Sequence, residues 1–415
     1  MTSFTALHRL LGQPPGPLTS EMVDDAITQR VSEGADLDFK AELPPTNGLP
    51  QTDFPKDIAA MANSGGGTIV YGVLEEQKRA TGRVDVVLEE NHERSLRSAA
   101  VTAISPPVLG LRIDRVGELG NRCVVVTVAA TQDAPHLIYR NDYFGAPLRN
   151  DADTVWMKER QIESMYRARL DHRRHSVEEL DALYAQTARG RDTATRAWLV
   201  AVASPRSPAL RPTRMTRDEA RTCFLEAETP ALRLAGGNQG VHPLEHIDRH
   251  NPRPGLRSWL AWNRATGNER WREAWAGVGQ IGAVTLAAAI GGHRCGRDVY
   301  WSGHQVEVRA LECAVADFLG LLRATARYLG TAEYDVQIGI ETTSVEALQL
   351  LSPDPYFPDR TVEPDGSFPM HFVPVRATVV ADVDDGEFHR QAREIALDCV
   401  NQGGVSDTFV IAEAP

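Results

Sequence analysis

Between residues 33 and 76 four ionisable side chains that could do chemistry fall at short intervals. Glu33, Asp38 and Lys40 lie in Glu33-Gly-Ala-Asp36-Leu-Asp38-Phe-Lys40, and Glu75 closes Ala62-Asn-Ser-Gly-Gly-Gly-Thr-Ile-Val-Tyr-Gly72-Val-Leu-Glu75. The alternation predicts a short strand with Asp36, Asp38 and Lys40 on one face and Leu37 and Phe39 on the other. The acids are then displayed together. Glycines 65 to 67 separate a helix ending near Met61 from a strand over Thr68 to Val73, so the second strand can return beside the first. Its far end carries Glu75 towards Glu33 and Asp38. Singly, such acids are usually solvated. Lys40 reads equally as a contact to phosphate or as a surface partner of Asp38 or Glu42.

The order Glu-x4-Asp-Phe-Lys, a helix, then Ala-Asn-Ser-Gly-Gly-Gly-x4-Gly-Val-x-Glu resembles the Schlafen-type AlbA-like domain, AlbA_2. The likeness continues in Ala134-Pro-His136-Leu-Ile-Tyr-Arg140, Tyr143 to Arg149 and Asp153-Thr-Val-Trp-Met157, and covers residues 20 to 170. The resemblance implies a compact α/β domain that binds or processes nucleic acid, with DNA or ATP binding in some members. In Schlafen nucleases it also implies three carboxylates that hold Mg²⁺ or Mn²⁺ and cut structured RNA such as tRNA. Carried onto this chain, those metal-holding, catalytic acids are Glu33, Asp38 and Glu75; Lys40, on the same strand face as Asp38, is a candidate contact to the scissile phosphate on its position alone. Two departures stand out: Asp38 is one methylene shorter than the common Glu, and Leu74-Glu75 replaces a frequent pair of aspartates. Such ions favour oxygen ligands and retain waters. Once bound they polarise a phosphoryl group and acidify an attacking water.

The glycine run is no Walker loop, because Gly-x4-Gly-Lys-Ser/Thr is missing. It reads as a helix C-terminus followed by positive-φ glycines. The net charge of −12 argues against a generally basic nucleic-acid coat, so any such surface must be local. One run stands out, with Arg160, Arg167, Arg169, His172, Arg173, Arg174 and His175. It is either a solvated helix face or a patch that tracks phosphate. Upstream, Tyr139, Arg140, Tyr143, Phe144 and Arg149 interleave rings and guanidinium groups, a pattern that suits base stacking and phosphate pairing or else a hairpin packed on its own core.

Five cysteines at 123, 223, 295, 313 and 399 form no close pair and read as buried thiols of a cytoplasmic protein. Met1 to Gly16 lacks the apolar core of a signal peptide. Residues 274 to 292 are uncharged but diluted by glycine, which favours a buried strand pair with a bend over a membrane span.

Punctuation divides the chain into a nucleic-acid domain over 1–185, a linker at 186–195 and a second domain over 196–415. Helices are expected over Leu18 to Arg30, near Glu93 to Ala103, over Ile162 to Leu170 and again from Ser176, where Ser-Val-Glu-Glu179 has a capping-box pattern. Strands are expected at Val84 to Leu88, Cys123 to Val128 and Ala197 to Ala203. Val306 to Leu329 carries an apolar stripe, with Glu307, Arg309, Glu312 and Arg323 off it. Strands over Tyr334 to Ile340 and Phe372 to Val380 and a helix over Glu387 to Val400 complete an α/β (α+β) chain whose second domain is sandwich-like, helices on a sheet. His242, His246 and His250 have the spacing of metal ligands on one helix face, with His293 and Cys295 to complete them, but Pro243, Pro252 and Pro254 favour a polar loop. The expectation is therefore a Schlafen-like, metal-dependent endoribonuclease with a C-terminal sensor, possessing a phage-defence layout and forming a homodimer around RNA. A non-catalytic nucleic-acid-binding regulator and an ATP-binding or protein-interaction module are the alternatives.

Overall fold

The computed structural model describes residues 4–140, 143–207, 209, 213–236, 241–353, 361–362 and 371–412. Two compact units, Met1–His175 and Ser176–Pro415, make up the chain. It is a mixed α/β protein.

In the first unit, α1 (Ala6–Leu10) and α2 (Ser20–Thr28) precede β1 (Leu37–Lys40), α3 (Phe54–Asn63), β2 (Gly67–Tyr71) and the hairpin β3 (Val73–Glu76) and β4 (Arg79–Arg83). Then come α4 (Glu90–Thr102), β5 (Ile104–Ser105), β6 (Arg112–Val116) and β7 (Cys123–Val128). One sheet has the order β1-β2-β7-β6, parallel between β1 and β2 and antiparallel elsewhere. Parallel neighbours need a crossover, and α3 supplies it. Gly65 and Gly66 both adopt φ of +93°, where a side chain is strained. A Cβ on Gly66 would stand 2.8 Å from the Ala130 nitrogen and the Val128 oxygen. The glycine run is thus a joint packed on the end of β7, not an open phosphate cradle. Ile58, Met61, Ile69, Leu96 and Val126 fill one side of this sheet, and Leu7, Met22, Leu37, Phe39 and Val125 the other.

Two hairpins follow, β8 (Leu137–Arg140) with β9 (Tyr143–Gly145) and β10 (Pro147–Asn150) with β11 (Asp153–Trp156), and then α5 (Glu159–Ala188). The strand expected at Val84 to Leu88 is not regular structure. The two helices expected around Ser176 are one, since no glycine or proline lies between Glu159 and Ala188 to stop the first. The expected linker at 186–195 begins inside the last turn of α5.

The second unit contains β12 (Trp198–Pro205), α6 (Arg217–Glu226), α7 (Glu228–Leu234), α8 (Pro243–His246), β13 (Arg253–Gly255), β14 (Ser258–Trp262), β15 (Ala274–Gly279) and β16 (Val284–Ala289). After β17 (Arg294–Gly296), β18 (Val299–Tyr300) and β19 (Gln305–Glu307) come α9 (Val308–Leu329), β20 (Glu333–Glu341), β21 (Gln349–Pro353), β22 (Thr361–Val362), β23 (Val375–Val380) and α10 (Asp385–Val400). Its seven-stranded antiparallel sheet runs β13-β14-β15-β16-β12-β20-β23. Leu199, Leu286, Ala276 and Ile338 of one face pack on Leu311, Val315, Phe318 and Leu322 of α9. On the other face Leu180 and Tyr184 cover Val200 and Val202. The uncharged 274 to 292 segment is indeed two strands joined at a bend.

Glu307, Glu312, Arg323 and His242, expected at the surface of this unit, are buried. Glu312, on α9, accepts the N–H groups of Phe409, Val410 and Ile411 at 2.7 to 2.9 Å and so holds the C-terminal segment. Arg323 donates to Asp385 and to the Val383 carbonyl and lies 4.3 Å over the Phe388 ring. Both sit off the apolar stripe, but α9 has a sheet on one side and other helices on the rest, so every residue from Ala310 to Ala326 is buried. His242 is no solvated loop residue either. Its Nδ1 lies 2.7 Å from Asp317 Oδ1 and its Nε2 3.0 Å from the Ala235 carbonyl. The other Asp317 oxygen takes the Leu244 N–H at 2.7 Å. The helical run ends at His246, so His242, His246 and His250 share no helix face, and no three His, Cys, Asp or Glu among the described residues stand as a metal set. Cys295 is exposed, contrary to expectation, and the other four thiols are buried.

Burial alone would lower the His242 pKa, but hydrogen bonds to Asp317 and Cys313 outweigh it and push it up to about 11. Burial raises Asp317 in turn, with His242 opposing. A histidine raised on folding stabilises fully below its unfolded pKa of 6.5, and that contribution fades as pH climbs towards 11. Asp317→Asn is therefore expected to cost about 3–5 kcal/mol at pH 6 and to flatten this alkaline loss. Urea unfolding across the range checks it; a variant as stable as the parent at pH 6 would show the pair to be idle.

Candidate functional site

The four singled-out residues of the acidic segment gather around β1, with Asp38 at the centre. Although β1 is an edge strand, Asp38 is only 2% exposed, which corrects the expectation of a displayed acid. Alternation sets which face a side chain takes, and here that face is covered. Arg149 of β10, equally buried, places Nη1 3.3 Å from Asp38 Oδ1 and Nη2 3.1 Å from the Gly34 carbonyl, while its own N–H reaches Ser64 Oγ at 2.9 Å. Arg149 was expected to face nucleic acid. It instead ties β10 to the segment before β1. Asn63, at the end of α3, completes the joint by donating to the carbonyls of His136 and Pro147 and accepting the His136 N–H.

Lys40 Nζ lies 3.0 Å from Asp38 Oδ2 and 3.9 Å from Asp57 Oδ2. Burial disfavours its ammonium, but Asp38 and Asp57 outweigh this and raise its pKa. Glu33 Oε1 accepts the Phe39 N–H at 2.9 Å. Burial raises the Glu33 pKa, the Phe39 N–H opposes, and the charges of Asp38 and Glu75 add to the rise. Glu75 is exposed and accepts the Lys78 N–H at 2.7 Å, and the Lys78 carbonyl binds the Glu33 N–H at 2.8 Å. The β3–β4 turn thereby brings Glu75 within electrostatic reach of Glu33. Beside them, an open cleft of about 530 Å³ is lined by Gln29, Ser32, Glu33 and the Arg9–Asp36 ion pair, in which Arg9 Nη2 meets both carboxylate oxygens.

One member escaped the sequence reading. Asp57, in the first turns of α3, is 6% exposed and faces Lys40. Burial lifts its pKa to about 6, with Lys40 opposing and Asp38 adding. Tyr71, buried behind it, is raised well above its usual value by burial and by Asp57 and Asp38. The signal for Asp57 was its place four residues before Met61 on a helix whose other face is apolar, but nothing local points to β1.

These residues do not fit Mg²⁺ or Mn²⁺ as they stand. Two cations already flank Asp38, and one oxygen each of Glu33 and Glu75 is taken by a backbone N–H. Asp38 Oδ2 is buried without a hydrogen bond, yet the Lys40 ammonium occupies the adjoining space. Among the described residues no three His, Cys, Asp or Glu are arranged to hold a metal ion. Carboxylates also outnumber cations here, so the cluster repels phosphate by itself.

A second surface is built differently. Leu137, Tyr139, Phe144 and Ala146 share one face of the β8–β9 hairpin, with Tyr139 directly opposite Phe144. Ile162 and Met165 of α5 pack with Leu137 and Ala146. The tip of the same face is left to solvent: Tyr139 is 57% and Phe144 59% exposed, their centroids 6.0 Å apart. On α5, Arg169 and Arg173 pair with Asp133 at 3.4 and 3.1 Å, and Arg174 is exposed with no ion-pair partner among the described residues. The side chains of Arg140 and Tyr143 lie outside the described residues.

Residues 33–158 match the family model Schlafen, AlbA_2. No curated protein matches. Among solved structures, the DIP2311 protein of Corynebacterium diphtheriae is similar at 17% identity over 51% of this chain, with a TM-score of 0.25, and this chain spans 33% of its length. The N-terminal domain of a RecG-related protein from Nitrosomonas europaea is similar at 16% identity over 34% of this chain and 94% of that one, also with a TM-score of 0.25.

An acid whose pKa rises on folding binds its proton more tightly in the native state, so stability grows as pH falls from 6 towards 4. At pH 7.5 the ionised Asp57 costs up to about 3 kcal/mol before relaxation. Asp57→Asn is expected to stabilise the first unit by about 1–2 kcal/mol at pH 7.5 and to remove much of that acid-side gain. Thermal melting at pH 4.5, 6 and 7.5 checks this. A destabilised variant at pH 7.5 would mean that the Lys40 contact outweighs the burial cost.

Proposed function

With residues 33–158 forming a Schlafen AlbA_2 domain, a family linked to nucleic-acid binding or processing, we propose that the first unit binds single-stranded or looped RNA through the β8–β9 tip and the arginines of α5, without cleaving it. The observation that carries this reading is the solvent-facing cross-strand pair of Tyr139 and Phe144. Two aromatic rings more than half exposed lose apolar burial unless something planar covers them, and bases do so in any sequence. Arg173 and Arg174 supply the phosphate contacts that the acidic cluster cannot. Glu33, Asp38, Lys40, Asp57 and Arg149 act in this reading as the joint that holds the hairpins in place.

Metal-dependent cleavage at Glu33, Asp38 and Glu75 is the competing reading. What favours it is the mutual electrostatic influence of those three acids at Glu33.

Replacing both Tyr139 and Phe144 with Ala is expected to weaken binding of a labelled RNA loop about ten-fold or more, since each lost stack costs about 1–3 kcal/mol. Arg173→Ala with Arg174→Ala should weaken it for all sequences and reduce the dependence on salt between about 50 and 200 mM by about one unit of slope per lost contact. Folding should hardly change, because all four side chains are at the surface. Parental affinity in both variants would sink the proposal.

A further inference from the structure

In the second unit the sheet face opposite α9 carries a ladder of rings. Trp262 of β14 and Trp275 of β15 are register partners and stack at 5.1 Å with planes 6° apart. The Arg191 guanidinium lies 4.5 Å over the Trp275 ring and 5.7 Å over that of Trp198 of β12. Arg191 is fixed in turn by donating from Nε to the Thr187 carbonyl at 3.3 Å. Trp275 and Arg191 thus each have two neighbours in the ladder, whereas Trp262 ends it: among the described residues its one ring contact is Trp275, and it is partly exposed.

Asp248 donates its N–H to the Trp262 carbonyl, but two arginines near the same ring make no ion pair among the described residues. Arg253 of β13 is the register partner of Leu260, which shares the Trp262 face two residues away. Arg264 lies two residues past Trp262, just beyond the end of β14. Both arginines are exposed and have no ion-pair partner among the described residues. In a chain of net charge −12, two unpaired guanidinium groups flanking the end of an aromatic ladder stand out. A hydrophobic partner would leave them uncompensated, and a plain anion would not use the ring. A base on the ring and phosphates on the arginines satisfy both.

We propose that this face of the second unit is a separate binding site for single-stranded nucleic acid, with one base stacked on Trp262 and the backbone held by Arg253 and Arg264. It does not depend on the hairpin site of the first unit.

The test uses the full chain and fluorescence anisotropy of a labelled oligouridylate about twelve nucleotides long. The measurement is made in the parent and in a Tyr139→Ala, Phe144→Ala background, which removes the other proposed stacking surface. Trp262→Ala should weaken binding about five-fold or more in that background, Trp262→Phe should keep it within about two-fold, and Arg253→Ala with Arg264→Ala should weaken it and lower its salt dependence. Unchanged binding in Trp262→Ala overturns the site, as does an equal loss in Trp262→Phe, which would mean that something other than a ring is lost. Uridine monophosphate competing as well as the strand would overturn assignment to a strand. A background variant that retains parental affinity, and loses it on Trp262→Ala, supports this site while refuting the hairpin one, so the two fail separately.

Discussion

The first unit depends on a buried charge pair between residues far apart in sequence. Asp38 and Arg149 are both almost sealed from water at 3.3 Å, and the Lys40 ammonium at 3.0 Å from the other Asp38 oxygen adds to the compensation. The guanidinium also takes the Gly34 carbonyl, so one side chain sets where β10 meets the segment leading into β1. Asn63 does the same from α3, joining His136 and Pro147. The hairpins are therefore carried on a rigid polar joint. An exposed aromatic tip is useful only if its base does not move, and here buried polar contacts from α3 and β1 hold that base.

That pair also explains why the acidic cluster makes a poor metal site. A divalent ion at Asp38 would have to share the carboxylate with a guanidinium and an ammonium, and like-charge repulsion in a dry site is large. The joint and the cation compete for the same oxygens. Lys40 and Asp57 extend the compensation, leaving an interior poised so that Asp57 titrates near pH 6. In the second unit buried ions recur with a structural purpose: Asp317 with His242 locks α8 to α9, and Glu312 collects three backbone donors of the C-terminal segment. Each is an acid on the inside of a helix, satisfied by groups from distant parts of the chain.

This is also where the sequence stopped being legible. Period and punctuation identified β1, β7, the strand pair of 274 to 289, α9 and the glycine joint, because each depends on neighbours within a few residues. The resemblance carried by Glu33, Asp38 and the glycine run identified the AlbA_2 domain. Burial of Asp38, Asp317, Glu312 and Arg323 depends on partners up to 111 residues away, and an acidic side chain off an apolar stripe looks solvated until a second element covers it. The capping-box pattern at Ser176 misled for the opposite reason, since a local start signal has no force inside a helix that nothing has ended. The Trp262 ladder was invisible because its rings come from three strands and its cation from the turn after α5.

We propose that the first unit binds nucleic acid without a metal ion, with Asp38 committed to Arg149. The most direct measurement follows the length and the binding of total tRNA incubated with the purified chain, in Mn²⁺ and in chelator. The account expects intact RNA in both and the same affinity in both. Fragments that appear in Mn²⁺, vanish with chelator and are lost on Glu33→Gln would contradict it and return the three carboxylates to a catalytic role.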